Sequence, residues 1–181
     1  MKSFVDYKIN LHHKASSTEV AKATSVLMHA LHAGFSEIKG DFALAFPDLE
    51  SKSTYKRLTT FRVFSKNKED EEKLIEFIRS SRLSQSVYMV LAPRAVPADF
   101  SGEYASYSRV RIKSRDRAQE RFNTMTQLMN SGAHWIDMRS KSNSNNFRMY
   151  LSVKTSNAGT DGKVNSYGLS TAELPVFLPK I

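Results

Sequence analysis

Cysteine is absent from all 181 residues, so no disulfide can staple this fold, and the omission suits a reducing compartment. Long hydrophobic runs are missing as well. No stretch approaches the roughly 18 consecutive apolar residues of a membrane span, and the first residues carry no signal-peptide h-region. A soluble, cytoplasmic protein with no membrane partner is therefore expected. Acidic side chains are in short supply: 27 Lys and Arg face 18 Asp and Glu, for a net charge of +9 and a pI near 9.8, which points to nucleic acid or another anionic surface. The excess is uneven, net +6 over residues 94–181 and net +3 over residues 1–93. Length supplies what staples do not, since a chain of this size buries enough apolar surface for one large domain or two small ones.

The first half alternates strand and helix patterns. Val5, Tyr7, Ile9 and Leu11 recur every second residue, the period of a strand. Ser16 and Glu19 have capping-box spacing ahead of Val20, Thr24, Leu27 and Leu31, which recur at helical spacing up to Gly34, read as the C-cap. Phe42 to Phe46, stopped by Pro47, and Leu58 to Phe64 read as strands. Asn67 can cap a helix with acidic residues 69–72 in its first turn and Leu74, Ile75 and Ile78 on its buried side, and Val87 to Leu91 is a further strand. The order β-α-β-β-α-β predicts a ferredoxin-like domain over residues 1–93, the arrangement that also underlies the RNA recognition motif, although neither aromatic RNP sequence stands in its proper place.

A linker from Arg94 to Asp99, between Pro93 and Pro97, leads into a second, basic α+β domain over residues 94–181. Its first strand puts Tyr107, Arg109 and Arg111 on one face. Ser114 can cap a helix running to about Met129, with Arg115 near its start, Arg117 and Arg121 one turn apart, and Phe122, Met125, Leu128 and Met129 as its buried side. Trp135, Ile136 and Met138, then Phe147 to Val153 in strand alternation, form a hairpin around the polar loop Arg139 to Asn146. Ser and Asn are turn residues, yet with Lys and Arg they also supply the donors that phosphate oxygens accept.

Five histidines are present. His12 and His13 end the first strand, and His134 precedes Trp135. His29 and His32 lie three apart near the end of the first helix, a spacing that suits a metal pair, but no third ligand is evident, so no metal or other cofactor is expected. His32 reads either as an exposed last-turn residue facing the helix dipole or as a general base titrating near working pH.

Several short stretches, in order, carry a resemblance: Ser25-Val26-Leu27 leading to Leu31-His32; Ala45-Phe46-Pro47-Asp48-Leu49; Ser108-Arg109-Val110; Arg139-Ser140-Lys141-Ser142 with Phe147-Arg148; and Tyr167-Gly168-Leu169-Ser170. Together they resemble the CRISPR-associated endoribonuclease of type I-F systems, which cuts repeat hairpins out of a precursor transcript. The resemblance implies that His32 is the catalytic base, that Ser140 holds the attacking ribose 2′-hydroxyl, that Ser142 contacts RNA near the cut, and that Tyr167 helps place the histidine. It further implies that Phe147 stacks on a base and that Arg109 reads a guanine near the base of the stem. Arg111 stands where the best-known members carry glutamine. The helix bearing Arg115, Arg117 and Arg121, with Lys113 before it, is similar to one that enters the major groove of the hairpin.

One departure stands out. The family helix carries adjacent arginine pairs where this chain has Arg121-Phe122 and Met125-Thr126, and the segment from that helix to Arg139 is shorter, so fewer phosphate contacts are expected. The resemblance implies a protein, monomeric when free, that stays on its product beside the other subunits of a type I-F surveillance complex. Two further readings compete: a non-catalytic hairpin-binding subunit of a ribonucleoprotein, and a generic basic domain without sequence preference.

Overall fold

A computed structural model describes residues 1–12, 15–50, 58–81, 87–112, 117–130, 133–140 and 145–181, with Glu50 and Met129 described by backbone alone. Its first half comprises β1 (Ser3–Ile9), α1 (Ser17–Ile38), β2 (Phe42–Ala45), β3 (Thr60–Ser65), α2 (Lys68–Ser80) and β4 (Tyr88–Val90). The strands lie in the order β2-β3-β1-β4, each pair antiparallel, which is the ferredoxin-like topology. Arg94 and Ala95, the start of the expected linker, form a short strand β5 (Arg94–Ala95) that pairs with Ser3 and Phe4 of β1. The second half adds β6 (Tyr104–Val110), α3 (Ala118–Asn130), β7 (His134–Arg139), β8 (Asn146–Ser156) and β9 (Leu178–Pro179), with sheet order β7-β8-β6-β9.

Local sequence explains most of these boundaries. Ser16 and Glu19 form a full capping box at the start of α1, and the Asn67 side chain accepts from the Glu69 N–H at 3.0 Å to start α2; such caps contribute about 1 kcal/mol each. Asp48, in the Pro47–Glu50 turn of 3-10 helix, accepts from the backbone N–H groups of Thr59 and Thr60, both at 2.7 Å, and so fixes the entry to β3.

Two expectations fail on physical grounds. Gly34 is not the C-cap of α1: the helix continues to Ile38, and Lys39 supplies the left-handed residue at φ 56°. Gly34 is instead a contact residue, because a Cβ there would lie 2.6 Å from Leu74 Cδ1 where α1 crosses α2. Nor do Phe122 and Met125 bury: they are 57% and 37% exposed, since α3 has no buried residue among those described, and Leu128 is only half-buried. The apolar spacing marks a face of the helix, and the described residues leave Phe122 and Met125 on it exposed. Ser114, the expected cap of α3, lies outside the described residues.

The strand β1 is buried on both faces, which its alternating pattern did not announce. Val5 and Tyr7 face one side, where Tyr7 lies beside Glu71 of α2. Phe4 and Asp6 face the other, paired across to Phe64 and Arg62 of β3. On that face Asp6 holds Arg62 through a 2.7 Å Nε contact and also binds Arg94 at 2.5 Å, while an Arg62 Nη donates to the carbonyl of Ile181. Phe46 meets Tyr107 edge-on at 5.8 Å, and a single apolar core runs through both sheets. The β1 and β3 aromatics that an RNA recognition motif would show to bases are shut in, with Phe4 1% and Phe64 0% exposed. Among the described residues no helix is long and apolar enough to cross a membrane.

Candidate active site

Because α1 runs on to Ile38, His32 sits well inside the helix and not in its last turn, so the helix-dipole reading fails. Its Nδ1 lies 2.7 Å from the carbonyl oxygen of Ser166. A carbonyl can only accept, so Nδ1 carries the proton, and in the neutral ring Nε2 is left as the acceptor. Tyr167 stacks on the imidazole at 4.1 Å between centroids and 19° between planes.

Both contacts come from one turn whose geometry is written in its residues. The Asn165 side-chain oxygen accepts from the N–H groups of Tyr167 (2.9 Å) and Leu169 (3.3 Å), and the Asn165 carbonyl accepts from Gly168 N at 2.9 Å. Gly168 has φ +72°, and a Cβ there would lie 2.8 Å from Phe35 Cε2, so only glycine fits. The turn is bolted to both sheets: the Gly168 carbonyl accepts from Leu44 N, and Ser170 N donates to the Tyr107 carbonyl, each at 2.8 Å. His32 is thereby held by a segment more than a hundred residues away in the chain.

The hairpin is where its pattern put it, with Met138 opposite Phe147 and Arg139 opposite Asn146. Ser140 N donates to Asn145 O at 2.9 Å at the mouth of the loop, and Ser140 is half-buried. One residue earlier, the Arg139 N–H donates to Nε2 of His29 at 3.2 Å, which joins the hairpin to the helix that carries His32. Ser142, Lys113 and Arg115 lie outside the described residues.

Arg109, half-buried at the far end of β6, has its guanidinium 5.0 Å from the centroid of Phe147. Its Nε is buried without a hydrogen-bond partner among the described residues. Burial holds its pKa below the ordinary arginine value, Arg111 pushes the same way, and the neighbouring Tyr167 acts against them. Arg111 lies just beyond β6 and is exposed, so the strand does not extend to it. Arg117 and Arg121 are exposed at the start of α3, linked to the histidine group by no hydrogen bond or ion pair among the described residues. The structure thus gathers His32 with Tyr167, and Arg109 with Phe147 and Arg111. The sequence reading missed Asn165 and Ser166. Asn165 followed by Gly168 was a legible turn signal, whereas a backbone carbonyl leaves no mark in a sequence.

The model of a protein family described as CRISPR-associated protein (Cas_Csy4) matches residues 9–177. The chain belongs to this family. It is therefore a CRISPR-associated protein, in a family known for crRNA endoribonuclease activity. No curated protein matches the chain. Among solved structures, a RAMP protein binding different RNA substrates is 10% identical over 84% of this chain and 86% of its own, with a TM-score of 0.35. A candidate chlorite dismutase is 12% identical over 84% and 78%, with a TM-score of 0.28.

Proposed function

We propose that this protein binds CRISPR repeat hairpins in precursor crRNA and cuts them at the 3′ base of the stem without a metal ion. The observation that carries the reading is the His32 ring, whose Nδ1 is pinned to the Ser166 carbonyl so that Nε2 is the basic nitrogen. In the proposed reaction Nε2 takes the proton of a ribose 2′-hydroxyl held by Ser140. The 2′-oxygen forms a bond to the adjacent phosphorus, the bond from phosphorus to the 5′-oxygen breaks, and that oxygen leaves with a proton. The products are a 2′,3′-cyclic phosphate and a 5′-hydroxyl. The nucleophile belongs to the substrate, so the protein contributes alignment and a base worth about a hundred- to ten-thousand-fold.

Around that step, Tyr167 helps place the imidazole, Arg109 reads a guanine at the foot of the stem, Arg111 contacts the RNA beside it, and Phe147 stacks on a base. Lys113, Arg115, Arg117 and Arg121 grip the RNA backbone, and Ser142 contacts the RNA near the cut. Residues 1–93 supply the base and residues 94–181 the grip. The protein, cytoplasmic and monomeric when free, then remains on the crRNA hairpin as a subunit of a type I-F surveillance complex.

The test is cleavage of a repeat hairpin in EDTA by wild type and His32→Ala. A single cut at the 3′ foot of the stem, leaving a cyclic phosphate and lost in the variant while binding survives, supports the reading. Tight binding with no cut by the wild type would leave a hairpin-binding subunit in its place.

A further inference from the structure

The edge of the second sheet meets the first helix through a backbone N–H bonded to a histidine side chain. Strand β7 ends the order β7-β8-β6-β9 and pairs with β8 alone among the described strands. In an antiparallel ladder successive N–H groups alternate towards and away from the partner strand. Ser140 N points towards β8, bonding Asn145 O at 2.9 Å, so Arg139 N, in the pair Arg139 and Asn146, points outward. His29 Nε2 receives that outward N–H at 3.2 Å, across 110 residues of sequence. The bond requires a ring with Nε2 unprotonated.

His29 and His32 sit three residues apart on α1, where side chains are neighbours with Cβ atoms about 5–6 Å apart. Ser140 is the residue after Arg139. We infer that His29 is a positioning residue, acting through the Arg139 N–H to hold Ser140 in register with His32. This rests on the proposed cleavage by His32 and Ser140 and adds to it a second histidine that performs no proton transfer. Helix α1 offers a long, regular element against which to fix the hairpin, and an error of about 1 Å in placing a group can cost a hundredfold in rate. A ring acceptor at the last outward N–H before the loop is where such an error would be prevented.

The experiment is single-turnover cleavage of the repeat hairpin, with hairpin affinity and thermal unfolding measured alongside, for wild type, His29→Leu and His29→Gln. Leucine keeps bulk without an acceptor; glutamine keeps an acceptor oxygen. The expected result is a cleavage rate about ten- to a hundredfold lower in His29→Leu at unchanged affinity, with His29→Gln restoring most of it. Wild type that fails to cut would sink the cleavage reading itself. Wild type that cuts while His29→Leu cuts equally fast would overturn the positioning role alone. So would a glutamine variant as slow as leucine, which would mean that the ring itself is needed, or a loss confined to affinity. Should His29→Leu fail to fold, the glutamine variant decides, since a folded protein with near wild-type rate is required of it.

Discussion

Two arginine–phenylalanine clusters in this molecule are built alike and finished differently. In the first sheet, Arg62 and Arg94 flank Phe4, each guanidinium 4.5 Å from the ring centroid, and both are held by the carboxylate of Asp6, itself 3% exposed. In the second sheet, Arg109 lies 5.0 Å from Phe147 with no ion-pair partner among the described residues, a buried Nε for which those residues offer no acceptor, and a second cation, Arg111, near enough to depress its pKa. One cluster is electrostatically closed within the protein. The other is left open on the side of the candidate site. A half-buried cation stacked on an aromatic ring and lacking an internal anion is suited to a ligand that brings acceptors, as guanine or phosphate does.

Breaking the closed cluster should have the largest effect, and only on folding. Asp6→Ala leaves Arg62 and Arg94, both over the Phe4 ring, without the carboxylate they share, and removing one partner of a buried ion pair costs about 3–5 kcal/mol. Urea denaturation should show that loss, while hairpin affinity of the folded fraction stays as in wild type. A loss of stability below about 1 kcal/mol, the range of an exposed pair, would mean that the cluster is not closed in solution.

Breaking the open cluster should do the reverse. Arg109→Ala is expected to weaken hairpin binding by about 1–3 kcal/mol and to relax preference at one base pair, with urea stability unchanged or higher because a buried unpaired donor has gone. Equal weakening on every hairpin sequence would assign Arg109 to the phosphates and remove the base-reading role. The arginines of α3 sharpen the contrast at smaller scale. Arg117→Ala or Arg121→Ala should each weaken binding uniformly across sequences and lower the slope of log affinity against log salt by about 1. An unchanged slope would mean that α3 does not lie on the RNA.

The same comparison shows what was legible beforehand. The first half could be read almost element by element, because its signals are local: a capping box at Ser16 and Glu19, a cap at Asn67, alternation in β1 and a short apolar run in β2 stopped by Pro47. What escaped was set by distant partners. Gly34 carries the signature of a helix end, but Leu74 of α2 needs the space above it. Asp6 follows strand alternation as a solvent-facing residue, yet Arg62 and the C-terminal segment bury it. For the candidate site, the residue types at His32, Ser140 and Tyr167 stood out only through family resemblance. The stacking of Tyr167 on His32, the Ser166 carbonyl and the His29 bond are products of tertiary packing that no spacing rule encodes.

The smallest expected effect concerns the helix face of the first sheet, where one buried carboxylate forms no ion pair among the described residues, although Lys68 acts to lower its pKa. Glu71 of α2 is 2% exposed and accepts from the Ser3 hydroxyl at 2.8 Å. Burial pushes its pKa above the ordinary carboxylate value, although the Ser3 hydrogen bond acts the other way. Its charge, second to burial, also raises the pKa of the buried Tyr7 hydroxyl, which has no hydrogen-bond partner among the described residues. Between the ordinary carboxylate value and the raised one, the unfolded chain has released this proton while the folded chain still holds it. The folded state then binds more protons, so stability falls as pH rises through that window and stays lowered above it. Glu71→Gln keeps an acceptor for Ser3 and removes the titration. Its unfolding midpoint should match wild type below the ordinary carboxylate range, rise above it across the window, and hold a constant advantage at neutral pH. Parallel curves for the two proteins from acid to neutral pH would show that Glu71 pays no desolvation penalty on folding, and that this face of the sheet is as well balanced as the Asp6 face opposite.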